Sequence, residues 1–331
     1  MPNYAQYETM FRNNQFREID HHVNATKFYY LRSISRSEVL QRFLQFSRLH
    51  FDLSNSQILN SLLHDSSVSL ENIEEFIRNE HQSVVTQRNL ALDELVMQLN
   101  RVKDFDWGGS FGNSLEKHIV NNYVKKITDF DVLNEKIESE LFYSLRGYAV
   151  NSWYNHWSSI LIEDIFKSSP HVLPTVGLIK KIDFFINGVP FDLKVTYFPE
   201  ELMKEKLRSG GFGVELTRIK QICRSVGILI DRNLPERVLK EQLLDLLNDS
   251  ADPLAVEFLS TLNSAKQKII SDAMSNPDEL IVWLYENQGE MRFDATNRFF
   301  LILVDTRNYH ESWKLKRNLP LLRTEISQKL M

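Results

Sequence analysis

Asp183, Asp192 and Lys194 are the residues whose types and spacing could do chemistry. They fall in the stretch 180–198, KKIDFFINGVPFDLKVTYF, where two apolar runs flank Asn187-Gly188. Asn-Gly favours a two-residue type I′ turn, because both central positions need positive φ. With that turn, Ile186 faces Val189, Phe184 faces Phe191 and Asp183 faces Asp192. Alternation then puts Lys181, Asp183, Asp192, Lys194 and Thr196 on one face, and Ile182, Phe184, Phe191, Leu193 and Val195 on the other. Opposed residues of an antiparallel pair have Cβ atoms roughly 4.5–5.5 Å apart, and like charges there repel. A divalent cation such as Mg²⁺, commonly held by one or two carboxylates, offsets that repulsion. Lys194, on the same face, is placed to stabilise an attacking water or charge growing on a phosphate.

The arrangement resembles the PD-(D/E)xK nuclease superfamily, in which an acid on one strand and an acid-x-Lys on the next bind metal and activate water. Asp183 falls on the first acid, and Asp192-Leu193-Lys194 on the second acid, the spacer and the lysine. Ile182 stands where the signature has proline. The resemblance covers roughly 153–196, with a later strand to follow. It implies that Asp183 and Asp192 ligand Mg²⁺, with Mn²⁺ able to substitute, and that Lys194 helps position the water. It implies a core of helix, three antiparallel strands, helix, and a strand parallel to the third. The helix before the first strand often supplies a further acid, commonly glutamate, which favours Glu163. Helical periodicity favours Asp164 instead, so both are candidates.

The elements that must position these groups are legible around the hairpin. A helix is expected over 152–167, with Trp153, Trp157, Ile160, Leu161 and Ile165 in one stripe widened by Ile162 and Phe166. On its wheel Asp164 lies at the stripe's edge, and Glu163 points away from its centre. A short strand is expected over 171–176, with Pro174 suiting an edge or a bend. Beyond the hairpin, 200–224 carries Lys204, Lys206, Arg208, Arg218, Lys220 and Arg224 around the flexible segment 209–213, which suits a basic clamp on a nucleic-acid backbone or a charged loop. Helices are expected over 234–262 and 265–273. The run RFFLILVDT, 298–306, reads as a strand buried on both faces, parallel to its neighbour. After it, His310, Lys314, Lys316, Arg317 and Arg323 interleave with Tyr309 and Trp313, which fits a phosphate-gripping surface or an amphipathic terminal helix.

Residues 1–145 read as mostly helical, with starts at 54–56 and at Ser69 before Glu71. Arg32, Arg36, Arg42 and Arg48 there suit either contact with nucleic acid or a solvated helix face. The glycine-rich loop 104–114 lacks the lysine and spacing of a phosphate-binding loop and reads as a connector. His21, His22, His118 and His156 form no metal-ligand spacing.

The chain has 331 residues, enough for about two domains. Its formal net charge of -5 means that contact with phosphates would need a local basic patch. The single cysteine, Cys223, excludes an internal disulfide and any multi-cysteine zinc site. No apolar leader and no membrane-length run is present, so a cytoplasmic protein with no membrane association is expected. Together these readings predict an α+β protein. Its first part would be a helical domain, 1–145, for DNA recognition or dimerisation. Its second, 146–331, would be a restriction-endonuclease-like domain with a central mixed β-sheet flanked by helices and a helical insertion at about 200–297. The resemblance implies a Mg²⁺-dependent endonuclease acting on double-stranded DNA, most like a type II restriction endonuclease and working as a homodimer. A repair, resolvase or transposition nuclease, or a non-catalytic DNA-binding protein with this fold, are the alternatives.

Overall fold

Asn187 and Gly188 take φ of 52° and 79°, as a type I′ turn requires. The computed structural model in which they do so describes residues 1–103, 119–177, 182–231, 234, 236–287, 297–306 and 309–330. The loop 104–114, His118, Lys180, Lys181 and the side chain of His310 lie outside the described residues. The turn joins β2 (Phe184–Ile186) to β3 (Val189–Tyr197). With β1 (Val172–Pro174) and β4 (Asn297–Leu303) they form a four-stranded sheet of order β1-β2-β3-β4. β1 pairs antiparallel with β2, and β2 with β3. The sheet is mixed, so its parallel pairing lies between β3 and β4. The contacts agree, since Asn297 donates to the Pro190 carbonyl and Arg298 reaches Asp192.

The rest is mostly helical, which makes the chain α+β. Seven helices come first: α1 (Tyr4–Arg12), α2 (Phe16–Asp20), α3 (Ala25–Ser33), α4 (Ser37–Phe46), α5 (Asn55–His64), α6 (Leu70–Asn89) and α7 (Leu92–Asn100). Ser54 and Ser69 sit at the N-caps of α5 and α6, where a side-chain oxygen can satisfy an unpaired helix N–H. Then come α8 (Phe130–Lys136) and α9 (Phe142–Lys167), joined by a π-helical turn at Ile137–Leu141. After the hairpin follow α10 (Glu200–Ser209), α11 (Glu215–Ser225), α12 (Glu236–Asp249), α13 (Pro253–Ser275) and α14 (Pro277–Asn287). A 3₁₀ segment, Tyr309–Arg317, and α15 (Leu319–Leu330) close the chain. Among the described residues no helix is long and apolar enough to cross a membrane.

The chain divides into two compact units, one of 1–195, 294–301 and 310–331, the other of 196–293 and 302–309. The division does not run at residue 145, and packing explains why. The first helices and one face of the sheet share a single core, in which Tyr29, Tyr30, Leu62 and Ile77 pack with Leu173, Ile182 and Phe185. The Phe185 ring lies 5.0 Å from that of Tyr30, and Arg78 of α6 donates to the carbonyl of Val172 in β1. At the turn, a Cβ on Gly188 would come within 3.1 Å of Thr26 in α3. The opposite face of the sheet packs on α9, where the Phe166 ring stacks on Phe184 at 5.6 Å and meets Phe299 edge-on at 5.3 Å. Helix α9 starts ten residues before the expected 152, since no proline interrupts 142–151 and the single Gly147 is tolerated within a helix. Its buried side chains are Tyr154, Ser158, Leu161, Ile162, Ile165 and Phe166, so Trp153 lies outside the stripe. β4 is half-buried along most of its length rather than buried on both faces.

Several charged residues that suited nucleic acid are occupied within this unit. Arg32 pairs with Glu8 and lies over the Phe11 ring, and Arg42 pairs with Glu80. Trp313 is buried, its carbonyl accepting from the Tyr154 hydroxyl at 2.8 Å. Lys316 is buried against Asn155, and burial pushes its ammonium down to about 8. Arg317 caps the carbonyls of Leu99 and Val102. The basic and aromatic 309–317 segment thus turns these groups inward.

In the second unit, α10 to α14 enclose an ion network. Glu215 at the start of α11 sits between Lys240 of α12 and Lys266 of α13, at 2.8 and 2.7 Å, and all three are buried.

Candidate active site at the hairpin

The ladder carries the expected pairs Ile186–Val189 and Phe184–Phe191, and it ends there. The Asp183 N–H donates to the carbonyl of Phe191 at 2.8 Å, so Asp183 and Phe184 both lie opposite one residue, the count of a β-bulge. Side-chain alternation breaks at the same point. Ile182 joins the core shared with Phe185, whereas Phe184 stacks on Phe166, so the expected common face for Ile182 and Phe184 does not form. Asp183 and Asp192 are therefore not a directly opposed pair. The bulge instead aims Asp183 along β3, where its carboxylate accepts from the Leu193 N–H at 2.7 Å. Bulges often re-aim a side chain beside a functional site in this way.

Helix α9 brings Glu163 to the same place. Burial, with the Glu163 and Asp192 charges nearby, raises Asp183 from its usual range to about 6, although the Leu193 N–H and Lys167 oppose the rise. Glu163 also accepts from Lys167, one helical turn on, at 2.9 Å. Asp164 faces elsewhere, paired with Arg88 of α6 and 3.9 Å from His81. Burial, helped by Lys167, pushes that imidazole down to about 4, so it is neutral at pH 7. Of the two helical acids, Glu163 is the one placed with Asp183.

Asp192 is 5 % exposed and sits between two cations. Its Oδ1 accepts from Lys194 at 3.0 Å, and its Oδ2 lies 3.4 Å from the guanidinium of Arg298, which is deeply buried. Lys194 keeps 46 % of its side chain exposed, so its ammonium can reach a solvent-borne group. The centre thus joins Glu163, Asp183 and Asp192 with Lys167, Lys194 and Arg298. Carboxylate oxygens are the donors that Mg²⁺ takes, and Asp183 beside Glu163 is the place where negative charge is least compensated. Among the described residues no group of three acids or histidines stands together as a metal site; Asp183 and Glu163 are an interacting pair of acids, and on the Asp192 side the lysine and arginine already supply positive charge.

Two members of this cluster escaped the sequence reading. Lys167 follows Glu163 by four residues on one helix, the spacing at which ion pairs form, so its signal was present. Arg298 opens the last strand, and only the β3–β4 register reveals its place beside Asp192.

Comparison with protein-family models, curated proteins and solved structures finds no match to this chain.

Proposed function

We propose that this protein is a metal-dependent endonuclease that hydrolyses phosphodiester bonds of double-stranded DNA, most like a type II restriction endonuclease. The observation that carries the reading is the convergence of Glu163 from a helix, Asp183 from a strand end and Asp192-x-Lys194 from the next strand, with Asp183 raised to about 6. The strand order and the helices around it also support the reading, since they follow the core that the resemblance implies. Asp183 and Glu163 would hold Mg²⁺ or Mn²⁺ with waters completing the shell, and the ion would supply an acidified water and neutralise phosphate charge. Asp183 must lose its proton to serve as a ligand, and a cation beside it would favour that loss. Lys194, anchored on Asp192 but largely exposed, orients the water and stabilises charge developing on the phosphate.

One observation favours a second reading, a DNA-binding protein of this fold without catalysis. Asp192 is engaged by both Lys194 and Arg298, and an acid so compensated has less need of a metal. Incubating the chain with mixed duplex DNA and Mg²⁺ or Mn²⁺, then mapping the ends, separates these outcomes. Cuts at one short sequence support restriction, and structure-dependent nicks support repair or resolution. Binding with no cleavage under either metal overturns the enzymatic reading.

A further inference from the structure

We propose that the second unit holds a binding cleft for a net-neutral small molecule, one with an apolar body and a polar head that both donates and accepts hydrogen bonds. The cleft lies between α10, α13 and the start of α14 and has a volume of about 490 Å³, within the roughly 300–1,000 Å³ of small-molecule sites. Every residue lining it belongs to that one unit. It shares no residue with the hairpin centre and needs no nuclease activity.

The way α13 divides its faces creates the space. Phe258, Leu262, Lys266 and Ile270, each about one turn apart, are buried. The row beside them, Ala265, Ile269 and Ala273, is only half-buried and lines the cleft. Four-residue steps keep each row on its own face, and the methyl groups of the two alanines leave the gap toward α10 unfilled. Across it stand Leu202 and Leu207 of α10, and with Leu280 of α14 they give the cleft a buried apolar base. An ion pair from Lys206 to Glu279, at 2.5 Å, ties α10 to α14.

Polarity and charge select the occupant. The apolar base favours a body that gains by leaving water. Lys206 and Lys268 stand against Asp272 and Glu279 around it, two charges of each sign. A phosphate-bearing or other polyanionic molecule meets as many carboxylates as ammonium groups there and gains no net attraction. A polycation meets the same balance. The polar groups instead suit a head of mixed character. Lys268 donates and Asp272 accepts from adjacent turns of α13, and Asn276, one turn further, adds an amide that does both.

Fluorescence titration of the full chain with N-phenyl-1-naphthylamine, a neutral aromatic amine, tests the cleft in the absence of DNA and metal. Its emission should rise saturably, with one site per chain. 8-Anilinonaphthalene-1-sulfonate, the same body with a sulfonate added, should bind about tenfold more weakly, because no net positive charge meets it. Ala273→Trp, which fills the cleft from α13, should abolish the saturable rise and leave far-UV circular dichroism unchanged. Met274→Trp, the next residue along but 76 % exposed and outside the cleft, should bind the probe as wild type does. Should Ala273→Trp fail to fold, Ser209→Phe, at an exposed position of α10 that also lines the cleft, gives the same reading. No saturable binding, a sulfonate that binds as tightly as the neutral probe, or undiminished binding in the folded cleft variants overturns the assignment.

Discussion

Asp183 is a half-buried carboxylate and Glu215 a buried one, and their surroundings drive them in opposite directions. Burial acts on each first, favouring the protonated form. At Asp183 the neighbouring charges of Glu163 and Asp192 add to it, and the carboxyl rises to about 6. At Glu215 two buried lysines outweigh it, and the carboxyl falls below its usual range. A compensated acid holds helices together, whereas an under-compensated one stores unfavourable charge that a ligand can relieve. Perturbed acids gather at functional sites for this reason, although ion networks perturb them too. The direction of the shift separates the two cases here.

The most forceful way to break the contrast is to remove chemistry at the hairpin and leave the network alone. Asp192→Asn and Lys194→Ala should each lower Mg²⁺-dependent cleavage by about 10³-fold or more, the scale of losing a transition-state electrostatic group, with circular dichroism unchanged. Undiminished cutting by both variants would sink the assignment of the centre.

Removing Glu215 should do the reverse. Glu215→Ala leaves Lys240 and Lys266 buried without their acid, and breaking such a pair typically costs about 3–5 kcal/mol. Urea titration followed by far-UV circular dichroism should show that loss, and the combined Glu215→Leu, Lys240→Met, Lys266→Met variant should recover most of it. If Glu215→Ala unfolds at the wild-type midpoint, the network is not structural.

How much of this was legible in the sequence follows from what each feature depends on. The Asn187-Gly188 turn was readable because two residues decide it locally, and the last strand because a continuous apolar run declares it, although the burial on both faces that the run suggested does not form. The bulge at Asp183 was not, since it depends on Ile182 and Phe184 being drawn to different cores on opposite sides of the sheet. The packing of the helices of 1–100 on one face of the hairpin sheet is likewise a long-range feature that no local pattern announces. Arg298 and Glu215 find their partners only through long-range packing, which no local pattern encodes.

Asp183→Asn sharpens the contrast through pH. Asp183 has a folded pKa of about 6, above the unfolded value of about 3.9. Its favourable contribution is therefore complete below about pH 3.9 and is lost as pH rises through about 6. Glu215, with its lowered pKa, contributes above its unfolded value of about 4.3 and loses that as pH falls through its folded one. Asp183→Asn should stabilise the chain by about 1–2 kcal/mol at pH 8 and by nearly nothing at pH 4, while abolishing cleavage. A melting temperature at pH 8 that drops in this variant would show that the Asp183 charge is fully compensated after all.

The finest test lies within one helix. Glu163 faces Asp183, and Asp164 pairs with Arg88, so adjacent acids of α9 should respond differently to loss of charge. Glu163→Gln should raise the Mg²⁺ needed for half-maximal cleavage about tenfold, the scale seen when a group supporting a metal site is lost. Asp164→Asn should leave that requirement unchanged and lower stability by about 1–2 kcal/mol through its charged partner. Titrating cleavage against Mg²⁺ for both variants, beside their thermal melts, reads the two effects separately. Exchange of the two outcomes would mean that the helix presents Asp164, as its apolar periodicity alone suggested, and that the coupling of Glu163 to Asp183 is incidental.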